Sequence, residues 1–332
     1  LWAISIIFLL AQSIHALLTD RNLTAYSYLF SVTCVVGGFS LGSTPELGRD
    51  WGKHFYWGAI AACFAAPIFT LLGIVGDLRV LQATLAFAVI VVSTQLIQME
   101  TDPLIGFAAI VVASALCFTD GARTASAVIM LASTLLIVHS FRQGQRWAPV
   151  LALAQLAILV TSFVKNTRSE PVFGGDSGLS VGSLTLNTTG RAALARENLN
   201  SLVGGELNVW EVTLGQGVGR SREVSLSRSA LDTPLNEFLR VSVDLGILGV
   251  GLLGGVFVFV FYLSLRLLRS GFPTQALQSL LLLIGLVAFS LTENMLSYSW
   301  ILLPVFLLLG SLNRLLLDRQ RDSPTWEPGT AS

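Results

Sequence analysis

The chain has 332 residues, of which 53% are hydrophobic and only 12% are charged. A soluble globular protein is about 25% charged, so this composition excludes a disordered chain, a nucleic-acid-binding protein and most water-soluble enzymes. Twenty Lys and Arg residues balance twenty Asp and Glu residues, and 17 of these 40 lie between Lys165 and Asp244. The remaining chain is therefore poorer still in charge. With a mean hydropathy of +0.71, this pattern predicts a polytopic membrane protein.

Ten stretches are long and apolar enough to be predicted spans, because a spanning helix needs about 20 mostly apolar residues. They are 2–18, 27–42, 55–76, 78–98, 104–119, 123–141, 147–164, 245–267, 274–293 and 297–317. The predicted fold is an all-α polytopic membrane protein with about ten transmembrane helices. Seven of them lie in residues 1–164 and three in 245–317, separated by a large loop at 165–244 and followed by a polar tail at 318–332.

The orientation follows from Lys and Arg residues in the short connections, which are retained in the cytoplasm. Nine such residues flank the spans on one side, namely Arg49, Lys53, Arg142, Arg146, Arg266, Arg269, Arg314, Arg319 and Arg321. The other side has three, namely Arg21, Arg79 and Arg123. The sequence therefore predicts a cytoplasmic tail and places the loop at 165–244 outside, in the periplasm or its equivalent.

The loop at 165–244 is long enough to have structure of its own, which is usual for functional loops. Its first part, 167–189, is rich in Gly and Ser, which predicts a mobile segment. The segments 190–203 and 232–243 instead have the apolar spacing of helices.

The second half of the loop contains two local sequence signals, a helix start and a glycine-rich turn. Asp232 or Thr233 is the predicted N-cap of the second helix, with Pro234 at its first position. Three alternating glycines, Gly215–Gly219, precede it. Their spacing is not GxGxxG and no βαβ unit surrounds them, so a tight turn is favoured over a dinucleotide site.

Several motifs follow one another in a specific order. Arg123 begins a span on the outer side, Thr189-Gly-Arg191 lies in the loop, and the glycine turn Gly215–Gly219 precedes Pro234-Leu-Asn-Glu-Phe-Leu-Arg-Val-Ser-Val-Asp-Leu-Gly-Ile-Leu-Gly249. In order, spacing and side of the membrane, these motifs resemble the O-antigen ligase and O-antigen polymerase superfamily of bacterial envelope glycosyltransferases. The resemblance covers most of the chain from residue 110 to residue 315.

The resemblance implies about a dozen transmembrane helices beneath one large periplasmic loop, in the bacterial inner membrane. The ten predicted spans are one or two fewer than this, so either further helices precede residue 1 or the protein is a shortened relative. It also implies transfer of a glycan from an undecaprenyl-diphosphate carrier to lipid A-core or to another glycan, without a metal or a cofactor.

The leaving group of such a transfer is a lipid diphosphate, whose developing negative charge is stabilised by fixed cations. Arg suits this role because its planar guanidinium group binds phosphate through two parallel hydrogen bonds. By match to the family pattern, Arg123 and Arg191 are the candidates for diphosphate binding. The alternatives are a helix-end residue that reaches water for Arg123 and a solvated helix face for Arg191.

The sequence departs from the family at the catalytic position. Where the family has a histidine that deprotonates the acceptor hydroxyl, this chain has Leu235, which cannot accept a proton. No histidine lies between residues 140 and 332, so the catalytic residue is unknown. Asn236, Glu237 and Glu293 are candidates for supporting roles. The alternatives are a solvated or salt-bridged helix residue for Glu237 and a salt bridge to an Arg for Glu293.

Three functions are compatible with these features. The first is glycan transfer by an enzyme of the ligase or polymerase type. The second is a catalytically lapsed relative that acts as a scaffold, an accessory subunit or a lipid-binding component of a membrane complex. A transporter ranks last, because the spans contain few of the ionisable groups that would line a path. The expected partners are membrane lipids, a lipid-linked glycan donor and other membrane subunits, with no nucleic acid.

Overall fold

The computed structural model describes residues 22–44, 51–73, 78–98, 103–119, 123–167, 178–181, 184–187, 208–226, 236–292, 295–297 and 299–322. In these residues the chain forms α1 (Asn22–Gly42), α2 (Trp51–Leu71), α3 (Leu78–Gln98), α4 (Leu104–Thr119), α5 (Arg123–Arg142), α6 (Ala148–Thr167), β1 (Gly178–Val181), β2 (Leu184–Asn187), α7 (Val209–Leu214), α8 (Arg220–Leu226), α9 (Glu237–Arg269), α10 (Pro273–Thr292), a 3₁₀ helix (Met295–Ser297) and α11 (Ser299–Asp322).

Six helices in the described part of the chain are long and apolar enough to cross a membrane. They lie at Lys53–Leu71, Val80–Gln98, Thr124–Arg142, Glu237–Arg269, Pro273–Thr292 and Ile301–Arg321. Three shorter apolar helices, Tyr28–Gly42, Leu104–Phe118 and Ala148–Thr161, coincide with further predicted spans. The chain is therefore a helical, multi-pass membrane protein, as its composition predicts. The predicted span 2–18 lies outside the described residues.

Helix α3 forms the centre of the bundle. Helices α2, α4, α5, α10 and α11 pack around it, and its residues 85–96 are buried without interruption. A helix that is apolar on most of its surface is buried either in a protein core or in lipid, and α3 is buried by its neighbouring helices. The side chains of Val89, Ile90 and Val92 are fully buried in this core.

Helices α1 and α11 pack so closely that their backbones touch. A methyl group added at Gly42 would overlap the carbonyl group of Leu307, and one added at Gly310 would overlap the carbonyl oxygen of Phe39. The Ser43 hydroxyl also donates a hydrogen bond to the Gly310 carbonyl at 3.2 Å. Small residues allow this approach, which strengthens helix association in lipid.

The predicted start of the helix near residue 232 was wrong. Asn236 has an extended backbone (φ −153°, ψ 113°), and its side chain accepts a hydrogen bond from the Leu239 amide, so Asn236 is the N-cap of α9. The first residue of α9 is therefore Glu237. The side-chain oxygen of Asn236 satisfies a backbone donor of the first turn, which fixes the start of the helix there.

Helix α9 also joins two predicted elements into one. The helix predicted at 232–243 and the span predicted at 245–267 are continuous except at Gly246, whose dihedral angles (φ 64°, ψ −159°) interrupt the helix. A residue with a side chain rarely adopts such a positive φ, so a glycine marks the kink.

The first part of the loop at 165–244 contains more regular structure than expected. Strands β1 and β2 pair antiparallel, with Gly178 opposite Asn187 and Val181 opposite Leu184, within the segment predicted to be mobile. Leu, Val and Thr favour paired extended backbone, which explains the hairpin. The helix predicted at 190–203 lies outside the described residues.

We predict that Gly42→Ala destabilises the protein by about 1–3 kcal/mol, because the added methyl group overlaps the backbone of α11. Gly37→Ala is the matched control, since no atom lies within 4 Å of a methyl group placed at Gly37 of the same helix. Thermal unfolding in detergent micelles measures both effects. Equal unfolding temperatures for the two variants would contradict the close packing of α1 on α11.

Candidate functional site

The glycine turn Gly215–Gly219 is attached to helix α9 by its backbone. Gly215, Gly217 and Gly219 all have positive φ angles between 84° and 98°, as the predicted tight turn requires. The Gln216 amide donates a hydrogen bond to the Val243 carbonyl at 2.8 Å. A methyl group at Gly215 would overlap the backbone of Asp244. Only glycine permits this contact, so the turn is fixed against α9 just before the kink.

A cluster of buried ionisable side chains lies beside this turn. Its members are Tyr28, Glu237, Arg240 and Asp244, each at most 1% exposed, and we call them the ionic cluster. Nε of Arg240 lies 3.6 Å from Oε1 of Glu237, and its guanidinium carbon lies 4.6 Å from the centroid of the Tyr28 ring. The cation therefore lies between a carboxylate and an aromatic face, and both attract it.

Asp244 connects the ionic cluster to helix α8, which directly follows the glycine turn. Its Oδ1 accepts a hydrogen bond from the Ser221 amide at 2.8 Å. The Tyr28 hydroxyl donates to Oδ2 of the same carboxylate at 3.2 Å. Hydrogen bonds to a carboxylate are stronger than those between neutral groups, so Asp244 binds α8 and α1 to α9.

Glu237 connects the same cluster to the 3₁₀ helix. Its Oε2 accepts a hydrogen bond from the Leu296 amide at 3.0 Å, and the Ser31 hydroxyl of α1 donates to the Leu296 carbonyl. Glu237 is therefore a buried, salt-bridged residue rather than a solvated one.

The motif residues that the structure describes lie at one end of the helix bundle, which we call the loop-side end. The Asn236 amide nitrogen donates to the Leu291 carbonyl at 3.1 Å, and the Thr124 hydroxyl donates to the Thr292 hydroxyl at 2.7 Å. Because Leu291 and Thr292 are adjacent, the start of α5 lies close to the start of α9. The backbone of Arg123 is thus at the same end as Asn236 and the ionic cluster.

The remaining predicted site residues lie outside what the structure describes. These are Arg191, Leu235 and Glu293, together with the side chain of Arg123. Of the candidates for supporting roles, Asn236 caps α9 and binds α10, while Glu237 belongs to the ionic cluster. In the described residues no group of three or more His, Cys, Asp or Glu side chains is arranged to hold a metal ion.

Sequence reasoning missed Tyr28, Arg240 and Asp244. Glu237, Arg240 and Asp244 follow one another at positions i, i+3 and i+7, which puts three charges on one helix face. Because this stripe of charges directly precedes an apolar span, it could have indicated a buried ionic cluster. Tyr28 had no comparable signal, because it lies more than 200 residues away in sequence.

Among known proteins, the chain matches no family model and no curated protein sequence.

We predict that Arg240→Met destabilises the protein by about 3–5 kcal/mol, because it leaves two buried carboxylates without their cation. Arg220→Met is the matched control. Arg220 also pairs with a glutamate three residues later, at 2.9 Å, but both side chains are more than 40% exposed, and such pairs contribute about 0–1 kcal/mol. Unfolding in detergent with increasing denaturant measures both variants.

A triple variant distinguishes the effect of the buried charges on stability from the effect of side-chain shape. Glu237→Gln, Arg240→Met and Asp244→Asn together remove every formal charge of the ionic cluster, so we expect them to recover much of the stability lost in Arg240→Met alone. If Arg240→Met and Arg220→Met are equally stable, the cluster does not depend on its cation.

Proposed function

We propose that this chain is a membrane glycosyltransferase of the O-antigen ligase or polymerase type. In this proposal it transfers a glycan from an undecaprenyl-diphosphate carrier to a lipid or glycan acceptor at the loop-side end. One observation supports the proposal above the others. The two motifs that carry the resemblance, the glycine turn Gly215–Gly219 and the stretch Asn236–Gly249, fold against each other as one unit through Asp244.

The proposed donor site needs cations where the diphosphate would lie. Arg123 is the first residue of α5, and its backbone lies at the loop-side end. The N-terminus of a helix carries partial positive charge and unsatisfied amide donors, both of which favour phosphate. In the proposal, Arg191 from the loop supplies the second guanidinium group, and the two arginines stabilise the leaving diphosphate.

A second candidate function is a catalytically lapsed homologue that acts as a scaffold or accessory subunit of a membrane complex. The burial of Glu237 favours this candidate. Glu237 is the acid nearest to Leu235, yet it is fully buried and bound to Arg240 and Leu296. It therefore does not replace the histidine that the family uses as a base. Neither candidate assigns a catalytic base among the described residues.

The proposal includes a topology. Ten spans, a periplasmic loop at 165–244 and a cytoplasmic tail at 318–332 would place the loop-side end at the periplasmic face of a bacterial inner membrane. The Lys and Arg bias of the short connections supports this orientation. In it, the donor diphosphate and the loop lie on the same side.

We predict that Arg123→Lys and Arg191→Lys each weaken binding of undecaprenyl diphosphate by more than tenfold, because lysine keeps the charge but loses a charged hydrogen bond that contributes about 1.5–3 kcal/mol. Arg146→Lys is the control, since Arg146 is exposed beyond the other end of α5. Binding is measured with the purified protein in lipid nanodiscs. Unchanged affinity in both loop-side variants would rule out a diphosphate site at these arginines, and with it the enzyme proposal.

We predict that Leu235→His raises glycan transfer in a catalytically lapsed protein, because a general base typically contributes about 10²–10⁴-fold. The assay uses proteoliposomes with an undecaprenyl-diphosphate-linked oligosaccharide and a lipid acceptor. Transfer by the unmodified chain would exclude the scaffold function. Absence of transfer in both proteins, with undecaprenyl diphosphate still bound, would favour a lipid-binding subunit over an enzyme.

A further inference from the structure

Helix α7 exposes large apolar side chains although it lies outside the predicted spans. Val209 is 78% exposed and Trp210 is 71% exposed. The helix has a complete capping box, in which Asn208 and Glu211 bind each other's backbone amides at 2.9 and 3.0 Å. The exposed pair Val209 and Trp210 therefore lies on a short helix with a defined start. Contact with an apolar partner would remove these two side chains from water.

The position of α7 relative to the membrane is fixed through Gly246. A methyl group at Gly246 would lie 2.6 Å from the carbonyl oxygens of Val212 and Thr213, and 2.5 Å from the Gly215 nitrogen. The backbone of α7 therefore touches α9 at its kink. The last turn of α7 therefore has nearly the depth of Gly246, and at about 1.5 Å per residue Val209 and Trp210 lie within about 6 Å of that contact along the helix.

Gly246 lies at the edge of the hydrocarbon layer. The residues 247–265 that follow it contain no Asp, Glu, Lys or Arg, and Arg266 ends the stretch. At about 1.5 Å per residue this helix is about 28 Å long, which matches a hydrocarbon core about 30 Å thick. On the other side of Gly246 lie the charged residues of the ionic cluster.

The exposed surface of α9 begins immediately after the kink. Ile247 is 65% exposed and Leu248 is 45% exposed, and further along the helix Val258 and Phe261 are exposed as well. In a membrane-spanning helix these side chains face lipid. The apolar pair of α7 thus lies within about one helical turn of the start of a lipid-facing surface.

We propose that α7 lies in the surface of the bilayer and that Val209 and Trp210 insert among the lipid headgroups and the upper acyl chains. Tryptophan suits this depth, because its ring is apolar while its indole N–H donates a hydrogen bond to headgroup oxygens. The partner of this surface is the lipid of the surrounding membrane. The contact holds the glycine turn Gly215–Gly219, which directly follows α7, at the membrane surface, and it does not depend on glycan transfer.

Site-directed fluorescence measures the depth of α7 in the full-length protein. Trp210→Cys is labelled with an environment-sensitive fluorophore, and the protein is placed in vesicles that contain phospholipids with a nitroxide either near the headgroup or near the chain end. Val209→Cys, which keeps Trp210, is a second variant. The unmodified chain, whose cysteines Cys34, Cys63 and Cys117 are buried, gives the labelling background.

Two matched positions calibrate the depth. Iodide, which stays in the water, is added as a second kind of quencher. The fluorophore at Val258→Cys, within the apolar stretch of α9, should be quenched most strongly by the nitroxide near the chain end. The fluorophore at Glu223→Cys, on the exposed surface of α8, should be quenched most strongly by iodide. For Trp210→Cys and Val209→Cys we expect the greatest loss with the nitroxide near the headgroup.

Two results would overturn the proposal. Quenching of both α7 positions by iodide alone, as for Glu223→Cys, would show that the helix lies in water. Protection from iodide and from both nitroxides, or a disulfide between two copies of Trp210→Cys, would show that protein covers this face instead of lipid.

Discussion

The burial of three formal charges beside one another constrains the whole loop-side end. Removing Glu237, Arg240 and Asp244 from water costs several kcal/mol per ion, and their mutual attraction compensates only when the geometry is well defined. Each carboxylate therefore has a specific donor, the Leu296 amide for Glu237 and the Ser221 amide for Asp244. Because these donors belong to the 3₁₀ helix and to α8, the ionic cluster specifies where both segments lie on α9.

The other features of this end follow from that arrangement. With α8 bound through Asp244, the preceding glycine turn must cross α9 in backbone contact, which only Gly215 and Gly246 permit. Helix α7, which leads into the turn, is then held level with the kink, and its exposed Trp210 faces the membrane surface. The start of α5 lies at the same end because Thr124 is hydrogen-bonded to Thr292 at the end of α10. The backbone of Arg123 is therefore close to this end although α5 belongs to a different part of the bundle.

The helical membrane fold could be predicted from the sequence, because hydropathy and helix length are local properties of each segment. The glycine turn was also predictable from its spacing. The N-cap at Asn236 was missed because Pro234 is an equally good start signal, and the second bond of the Asn236 side chain, to the Leu291 carbonyl, is made to another helix. Burial of Glu237 depends on Leu296 and Tyr28, which no local pattern connects to it. Tertiary contacts of this kind are absent from a single sequence.

The structural roles of Asn236 and Glu237 limit the chemistry that this end can perform. The amide of Asn236 does not exchange a proton near neutral pH, and the Glu237 carboxylate is buried in contact with Arg240 and the Leu296 amide. Diphosphate binding does not require proton transfer, since arginines and a helix N-terminus bind phosphate without a change in protonation. In the proposed enzyme, donor binding and acceptor activation would therefore depend on different residues. Under the proposed function, Leu235 at the position of the resembled family's histidine would remove a means of acceptor activation without changing the proposed arginines, which is why a lipid-binding subunit is the alternative to an enzyme.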